Sequence, residues 1–209
     1  VVEQPLRAGK LDIEAQLAYQ HWVDQRREIV QRLSNGRLGY THVAAMNDDE
    51  FRKVYGELMG RYRDTEAAII DVRFNSGGLL HDQLMAFITG QRHSGLVTRN
   101  GVDLGTSPYW RWAKPTAMLA NAYSYSDGSI FPYYYIHEKI GPSVGARVPG
   151  TGTAVLRAFQ QEPRLLFAVA QIGFRTQDGE FFENREIVPD EVVYNDPNSI
   201  LEGRDLQLE

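Results

Sequence analysis

The 209-residue chain carries 22 basic and 27 acidic side chains, a formal charge of −5, and 43% of its residues are hydrophobic. That balance argues against a general nucleic-acid binder and against disorder, and the length suits one large domain or two small ones. No apolar run approaches the roughly 20 residues of a membrane-spanning helix. The absence of cysteine excludes a disulfide framework, a Cys-ligated zinc site and a thiol nucleophile, and fits either redox compartment.

The opening VVEQPLRAGKLD has neither the basic-then-apolar pattern of a signal peptide nor an initiator Met, and it reads as a cut made inside a longer protein. From Ala15 to Leu33 the apolar residues recur with a helical period, and Asn35-Gly36 supplies a stop. A short strand, Leu38 to Val43, is expected next. Phe51, Val54, Tyr55, Leu58, Met59 and Tyr62 then mark a second helix, with Asn47 or Asp48 as its cap. Ala67 to Val72 is a β-rich run too brief for a helix, and the Gly77-Gly78 turn after it leads into an apolar helical stretch ending at Gly90.

Residues 90–108, rich in Gly, Asn and Ser, read as a loop. Thr116 to Ala120 is a second buried strand that passes through Asn121 into another tight turn. A helix over 130–140 follows, because Pro132 is tolerated only near a helix start, which leaves Ser126 to Ser129 as the turn. From 144 to 190 short β-like runs alternate with Gly and Pro, Leu165 to Ile172 being the clearest. The last twenty residues are polar and read as peripheral. Strands alternating with helices predict an α/β layered domain with active groups at the C-terminal ends of strands.

Two strand-turn-helix units carry the chemical information: IIDVRFNSGG (Ile69 to Gly78) and AMLANAYSYSDGSIF (Ala117 to Phe131). A serine at such a turn can attack a carbonyl while neighbouring amides stabilise the oxyanion, each donor being worth on the order of 10²–10³ in rate. Ser126 occupies that position. Its bland alternative is a helix cap, since Ser favours helix starts. The hydrolase elbow G-x-S-x-G is not present, because Ser124 stands where its first Gly belongs.

Four ordered motifs resemble the C-terminal processing peptidases, a clan of serine peptidases, and within it the tricorn-type proteases. Asp71, Arg73, Asn75, Gly77 and Gly78 match D-x-R-x-N-x-G-G, and Ser126 to Pro132 match the nucleophile segment S-D-G-x-I-F-P. Glu183-Asn184 with Val188-Pro189-Asp190 resembles E-N-x-G-V-x-P-D, and Gly203-Arg204-Asp205 with Gln207-Leu208-Glu209 resembles G-R-D-P-Q-L-E. Glu186 and Leu206 stand where these motifs usually have Gly and Pro, so the two loops are expected to differ locally in shape. The resemblance implies an α/β fold of the crotonase/Clp-protease type, with residues 1–10 ending an upstream PDZ-like segment and 11–209 forming the peptidase domain.

By the same resemblance Ser126 is the nucleophile, and the Asp127 amide and the Gly77-Gly78 turn supply the oxyanion donors. Glu183 is the carboxylate that orients the catalytic histidine through a bridging serine. Asp71 and Arg73 read more simply as an ion pair bracing their turn. Ser-Lys members carry a lysine in a G-K-G segment, where this chain has Pro149-Gly150-Thr151-Gly152. None of His21, His42, His81, His93 and His137 matches the family base, so the histidine and bridging serine are expected upstream, before the PDZ domain. The resemblance implies no cofactor. Its partners are a peptide substrate, the parent protein's own PDZ and β-propeller regions and further copies in a homo-oligomer. The location is cytoplasmic, or periplasmic if the parent carries a signal peptide.

No histidine pair has the spacing of a zinc site. Gly145 to Gly152 lacks the Lys-Ser/Thr of a phosphate loop and reads as a connector, and Tyr133-Tyr134-Tyr135 point in different directions on a helix. Two rival functions share the fold or the motifs: an acyl-CoA enzyme of the crotonase type, against which the intact S-D-G segment argues, and a degenerate, non-catalytic peptide-binding or scaffold domain.

Overall fold

The computed structural model describes residues 11–162 and 164–209; the expected remnant of an upstream domain, residues 1–10, lies outside them. In chain order the elements are helix α1 (Leu11–Ser34), strand β1 (Leu38–His42), helix α2 (Asp48–Gly56) with a π-helical turn Glu57–Arg61, β2 (Ala67–Asp71), α3 (His81–Thr89), the hairpin β3 (Ser94–Val97) and β4 (Asp103–Ser107), and β5 (Thr116–Ala120). There follow α4 (Asp127–His137), β6 (Ser143–Gly145), the hairpin β7 (Thr153–Phe159) and β8 (Leu166–Gly173), β9 (Glu191–Val192) and α5 (Pro197–Leu201).

Five strands form one sheet in the order β1-β2-β5-β6-β9, and every neighbouring pair is parallel. Parallel neighbours need crossovers, and crossover helices bury both faces of the sheet. The two-residue side-chain period sorts the core accordingly. Tyr40, in register with Ile69, packs with Val23 and Val30 of α1 on one face. Ala68 and Ile70 meet Val54, Leu58, Leu84, Phe87, Ile130 and Phe131 on the other. Each fully buried Leu, Ile or Phe there contributes about 1.5–3 kcal/mol, so the α2, α3 and α4 face is the main core.

Four expectations shift. The second helix is capped by Asn47, whose side chain accepts from the Glu50 amide, but its run breaks into the π turn after Gly56, where Tyr62 N bonds Glu57 O at 2.8 Å. Glycines 56 and 60 weaken the α-helix there by about 1 kcal/mol each relative to Ala. The 90–108 loop contains the β3-β4 hairpin, whose turn uses Gly101 at φ +81°.

Helix α4 starts at Asp127, three residues before the expected point. The amides of Gly128 and Ser129 reach the carbonyls of Tyr125 and Ser126, and Pro132 sits in the second turn. Finally, the C-terminal tail is not peripheral throughout: Asp205 and Gln207 are buried, because Arg73 draws them in.

Candidate active site

Strands β2 and β5 are adjacent and parallel, so the two informative turns leave the same end of one sheet. Both turns are then tied to each other. Tyr125 N donates to Asn75 O at 2.9 Å, Ser124 Oγ to Val72 O at 2.9 Å, and Asn121 Oδ1 accepts from the amides of both Phe74 and Tyr123 at 3.0 and 3.1 Å. Asn75 is fully buried; its Nδ2 donates to Val43 O and its Oδ1 accepts from Gly77 N, each at 2.8 Å.

Below this assembly lies Arg73, buried between two carboxylates. It bonds Asp71 at 2.7–3.0 Å and Asp205 at 2.9 and 3.0 Å, with Gln207 Oε1 at 2.9 Å. Burial alone disfavours all three charges, but their mutual attraction outweighs it, raising the pKa of Arg73 and holding Asp71 and Asp205 below the usual carboxylate value. The expected ion pair of Asp71 and Arg73 is present, and it extends to the C-terminal tail. Tyr40 adds a 2.7 Å bond to Asp71 Oδ2.

Ser126 has φ 54° and ψ −123°, a conformation that a non-glycine residue adopts only under strain. It occupies the N-cap position of α4 without making a side-chain cap bond, so capping does not account for the residue. Its carbonyl serves the amides of Ser129 and Ile130, and its own amide donates to Thr151 Oγ1 at 2.8 Å. Gly77 lies against the Ser126 side chain, at φ +87°. The Gly77 amide is already spent on Asn75, whereas the Gly78 and Asp127 amides have no hydrogen-bond partner among the described residues. Gly78 must be glycine: a β-carbon would stand 2.0 Å from Met46 O.

Glu183 is half-buried on the other side of Thr151. Its Oε2 accepts from Gly152 N at 2.9 Å and from Thr153 Oγ1 at 2.6 Å, while Ser129 Oγ bonds both the Thr151 carbonyl, at 3.2 Å, and its hydroxyl, at 2.9 Å. Thus the segment read as a simple connector braces Ser126 and Ser129 on one side and Glu183 on the other. Thr151 stands in the segment where Ser-Lys relatives carry lysine; its bracing role was not apparent from the sequence.

Four of the five histidines are engaged elsewhere, and His93 is exposed beside the β3-β4 hairpin. His42 bonds Tyr19 Oη at 2.6 Å and the Arg73 carbonyl at 2.8 Å, and burial lowers its pKa despite the nearby Asp71 charge. His21 meets Gln25, and His137 stacks on Tyr133. His81 bonds Asp127 through Nδ1. Among the described residues, no histidine bonds the Ser126 hydroxyl, and no helix is long and apolar enough to cross a membrane.

A parallel sheet with a strained serine and free backbone amides at its C-terminal end is the geometry of an acyl-transfer hydrolase. Comparison with known proteins narrows that class. The model of the family "Peptidase family S41" matches residues 37–193. The tricorn protease homolog of Saccharolobus solfataricus is 30% identical over 194 residues, covering 92% of this chain and 18% of that protein. Tricorn protease homolog 1 of Streptomyces coelicolor is also 30% identical, over 94% of this chain and 18% of its own length.

Among solved structures, the tricorn protease superposes with a TM-score of 0.78 at 24% identity, over 91% of this chain and 18% of that one. The photosystem II D1 C-terminal processing protease superposes with a TM-score of 0.57 at 19% identity, over 75% of this chain and 42% of that one. The chain belongs to peptidase family S41, and its domain is that of a serine peptidase. It spans about a fifth of the length of the curated relatives it matches.

Proposed function

We propose that residues 11–209 form the C-terminal catalytic domain of a tricorn-like peptidase that hydrolyses peptide bonds through an acyl-enzyme on Ser126. The observation that carries this reading is the strained Ser126 packed against Gly77, at a turn flanked by the unpartnered amides of Gly78 and Asp127. In the proposed reaction the Ser126 hydroxyl passes its proton to the base and attacks the scissile carbonyl, and those two amides hold the oxyanion. The C–N bond breaks as the amine leaves with that proton, and water then hydrolyses the Ser126 ester to free the acid and restore the hydroxyl. The exposed side chains of Phe74, Leu79, Tyr123 and Tyr125 around the turns suit an extended peptide.

The base comes from outside this chain in our reading, since none of its five histidines meets Ser126. Glu183 retains one carboxylate oxygen not used by Gly152 or Thr153, and orients that histidine through a bridging serine supplied with it. An upstream PDZ segment ending in residues 1–10, a β-propeller, homo-oligomerisation and a cytoplasmic location belong to the same proposal. In its favour, the β7-β8 hairpin exposes Leu156, Phe159, Leu166, Phe167 and Ile172, more apolar surface than a free two-stranded ribbon sustains unaided.

The test is made in the parent protein. Ser126→Ala abolishes covalent labelling by a fluorophosphonate and peptide hydrolysis, and Glu183→Gln slows turnover while leaving the fold intact. Wild-type turnover by Ser126→Ala overturns the nucleophile assignment.

A further inference from the structure

Helix α3 begins at His81, and its N-cap residue, Leu80, has no side chain able to accept a hydrogen bond. The first amides of the helix therefore need a partner from elsewhere. Asp127, buried at the start of α4, supplies it. Its Oδ2 accepts from Leu80 N at 2.5 Å and from His81 N at 3.0 Å, and its Oδ1 bonds His81 Nδ1. One carboxylate thus joins the segment just after Gly78 to the residue whose own amide is the second oxyanion donor.

His81 holds that carboxylate from a third side. The ring is buried, stacks on Tyr134 of α4 at 5.8 Å and 11°, and meets Phe174 edge-on. Besides Asp127, the charged group facing it is Asp82 on its own helix, whose Oδ1 lies 3.3 Å from Nε2. Burial opposes protonation of the ring, but the hydrogen bond and charge of Asp127, with the charge of Asp82, prevail and raise its pKa above 6.5.

Resting on the serine-peptidase reading above, we propose that His81 is a positioning residue for the oxyanion site: its Nδ1 fixes the Asp127 carboxylate, which sets the separation of the Gly78 and Asp127 amides. As imidazolium, His81 makes a charge-assisted bond to Asp127 and a second contact to Asp82; as neutral imidazole it keeps only an ordinary Nδ1–H bond. The folded-state pKa is raised, so the stabilisation is complete below about 6.5 and is lost as pH rises through the higher folded value. The clamp loosens on the alkaline side.

Amide NMR of the 209-residue chain, titrated from about pH 5 to 9, tests the clamp without requiring activity. The Gly78 and Asp127 amide signals shift with the midpoint of the His81 ring, and His81→Asn, whose Nδ2 replaces the Nδ1 donor but does not titrate, abolishes the shift. In the parent protein, Ser126 labelling by a fluorophosphonate slows at least about tenfold in His81→Ala. His81→Asn stays within about threefold of wild type at neutral pH and loses the alkaline decline of the wild-type profile. If His81→Ala does not fold, the Asn variant carries the test. Amides that ignore the His81 titration, or that follow an unchanged titration in His81→Asn, overturn the proposal. Amides that follow His81 in a parent whose Ser126 never labels leave the clamp standing and refute the peptidase reading instead.

Discussion

Gly77 presents its bare α-carbon to Ser126: a β-carbon there would stand 2.7 Å from Ser126 Cβ and 3.3 Å from Oγ. The two turns are in contact at this point, so the position of Ser126, the nucleophile we propose, depends on a residue 49 positions earlier in the chain. Gly77→Ala introduces both that clash and a side chain at φ +87°. A loss of about 2–4 kcal/mol is expected in chemical denaturation. The labelling rate of Ser126 in the parent protein falls by more than the fraction unfolded accounts for.

The backbone strain at Ser126 predicts a trade between stability and chemistry. Glycine tolerates φ 54° and ψ −123° at little steric cost. Ser126→Gly is therefore expected to raise the stability of the 209-residue chain by about 1 kcal/mol relative to Ser126→Ala, while both variants are catalytically dead. Thermal unfolding of the two variants side by side measures the difference. Equal stability would mean that the turn stores no strain at this residue.

Arg73 connects the turn after β2 to the C-terminal tail, and the connection is ionic and buried. Asp205→Asn leaves Arg73 short of one counter-charge and costs about 2–4 kcal/mol at neutral pH. Because the folded-state pKa values of Asp71 and Asp205 lie below the ordinary 3.8, their contribution is present above that value and is lost as pH falls through the lower folded values. The gap between wild type and Asp205→Asn should accordingly close below about pH 4 in urea titrations across pH. A gap independent of pH would point to packing instead of charge.

By itself the 209-residue chain is expected to fold yet react little. A serine hydroxyl without a base is a weak nucleophile at neutral pH, and the Oγ of Ser126 has no hydrogen-bond partner among the described residues. No burst with an activated ester and negligible fluorophosphonate labelling are expected, both restored by extending the chain upstream. Stoichiometric labelling of the 209-residue chain would place a base within it, and His42 and His137 would be the first to replace.

The order of elements and the two strand-turn-helix units were legible in the sequence because they rest on local signals. Helical periodicity marks α1 and α2, short β-rich runs mark β2 and β5, and glycines or polar residues stop each. The turn position of Ser126 stands out for the same reason, whereas the roles expected of Ser126, Asp127, Gly77 and Gly78 came from the resemblance of their motifs to a peptidase family and not from local spacing. The β3-β4 hairpin was hidden because its strands are short, β3 exposed and β4 at most half-buried, with little hydrophobic alternation to display. Only the tertiary structure decided that the polar tail sends Asp205 into the core, that Thr151 links Ser126 to the Glu183 segment, and that Asp127 caps α3 while holding His81. Those contacts join residues 25 to 132 positions apart, and a polar side chain alone does not reveal which distant partner will satisfy it once water is removed.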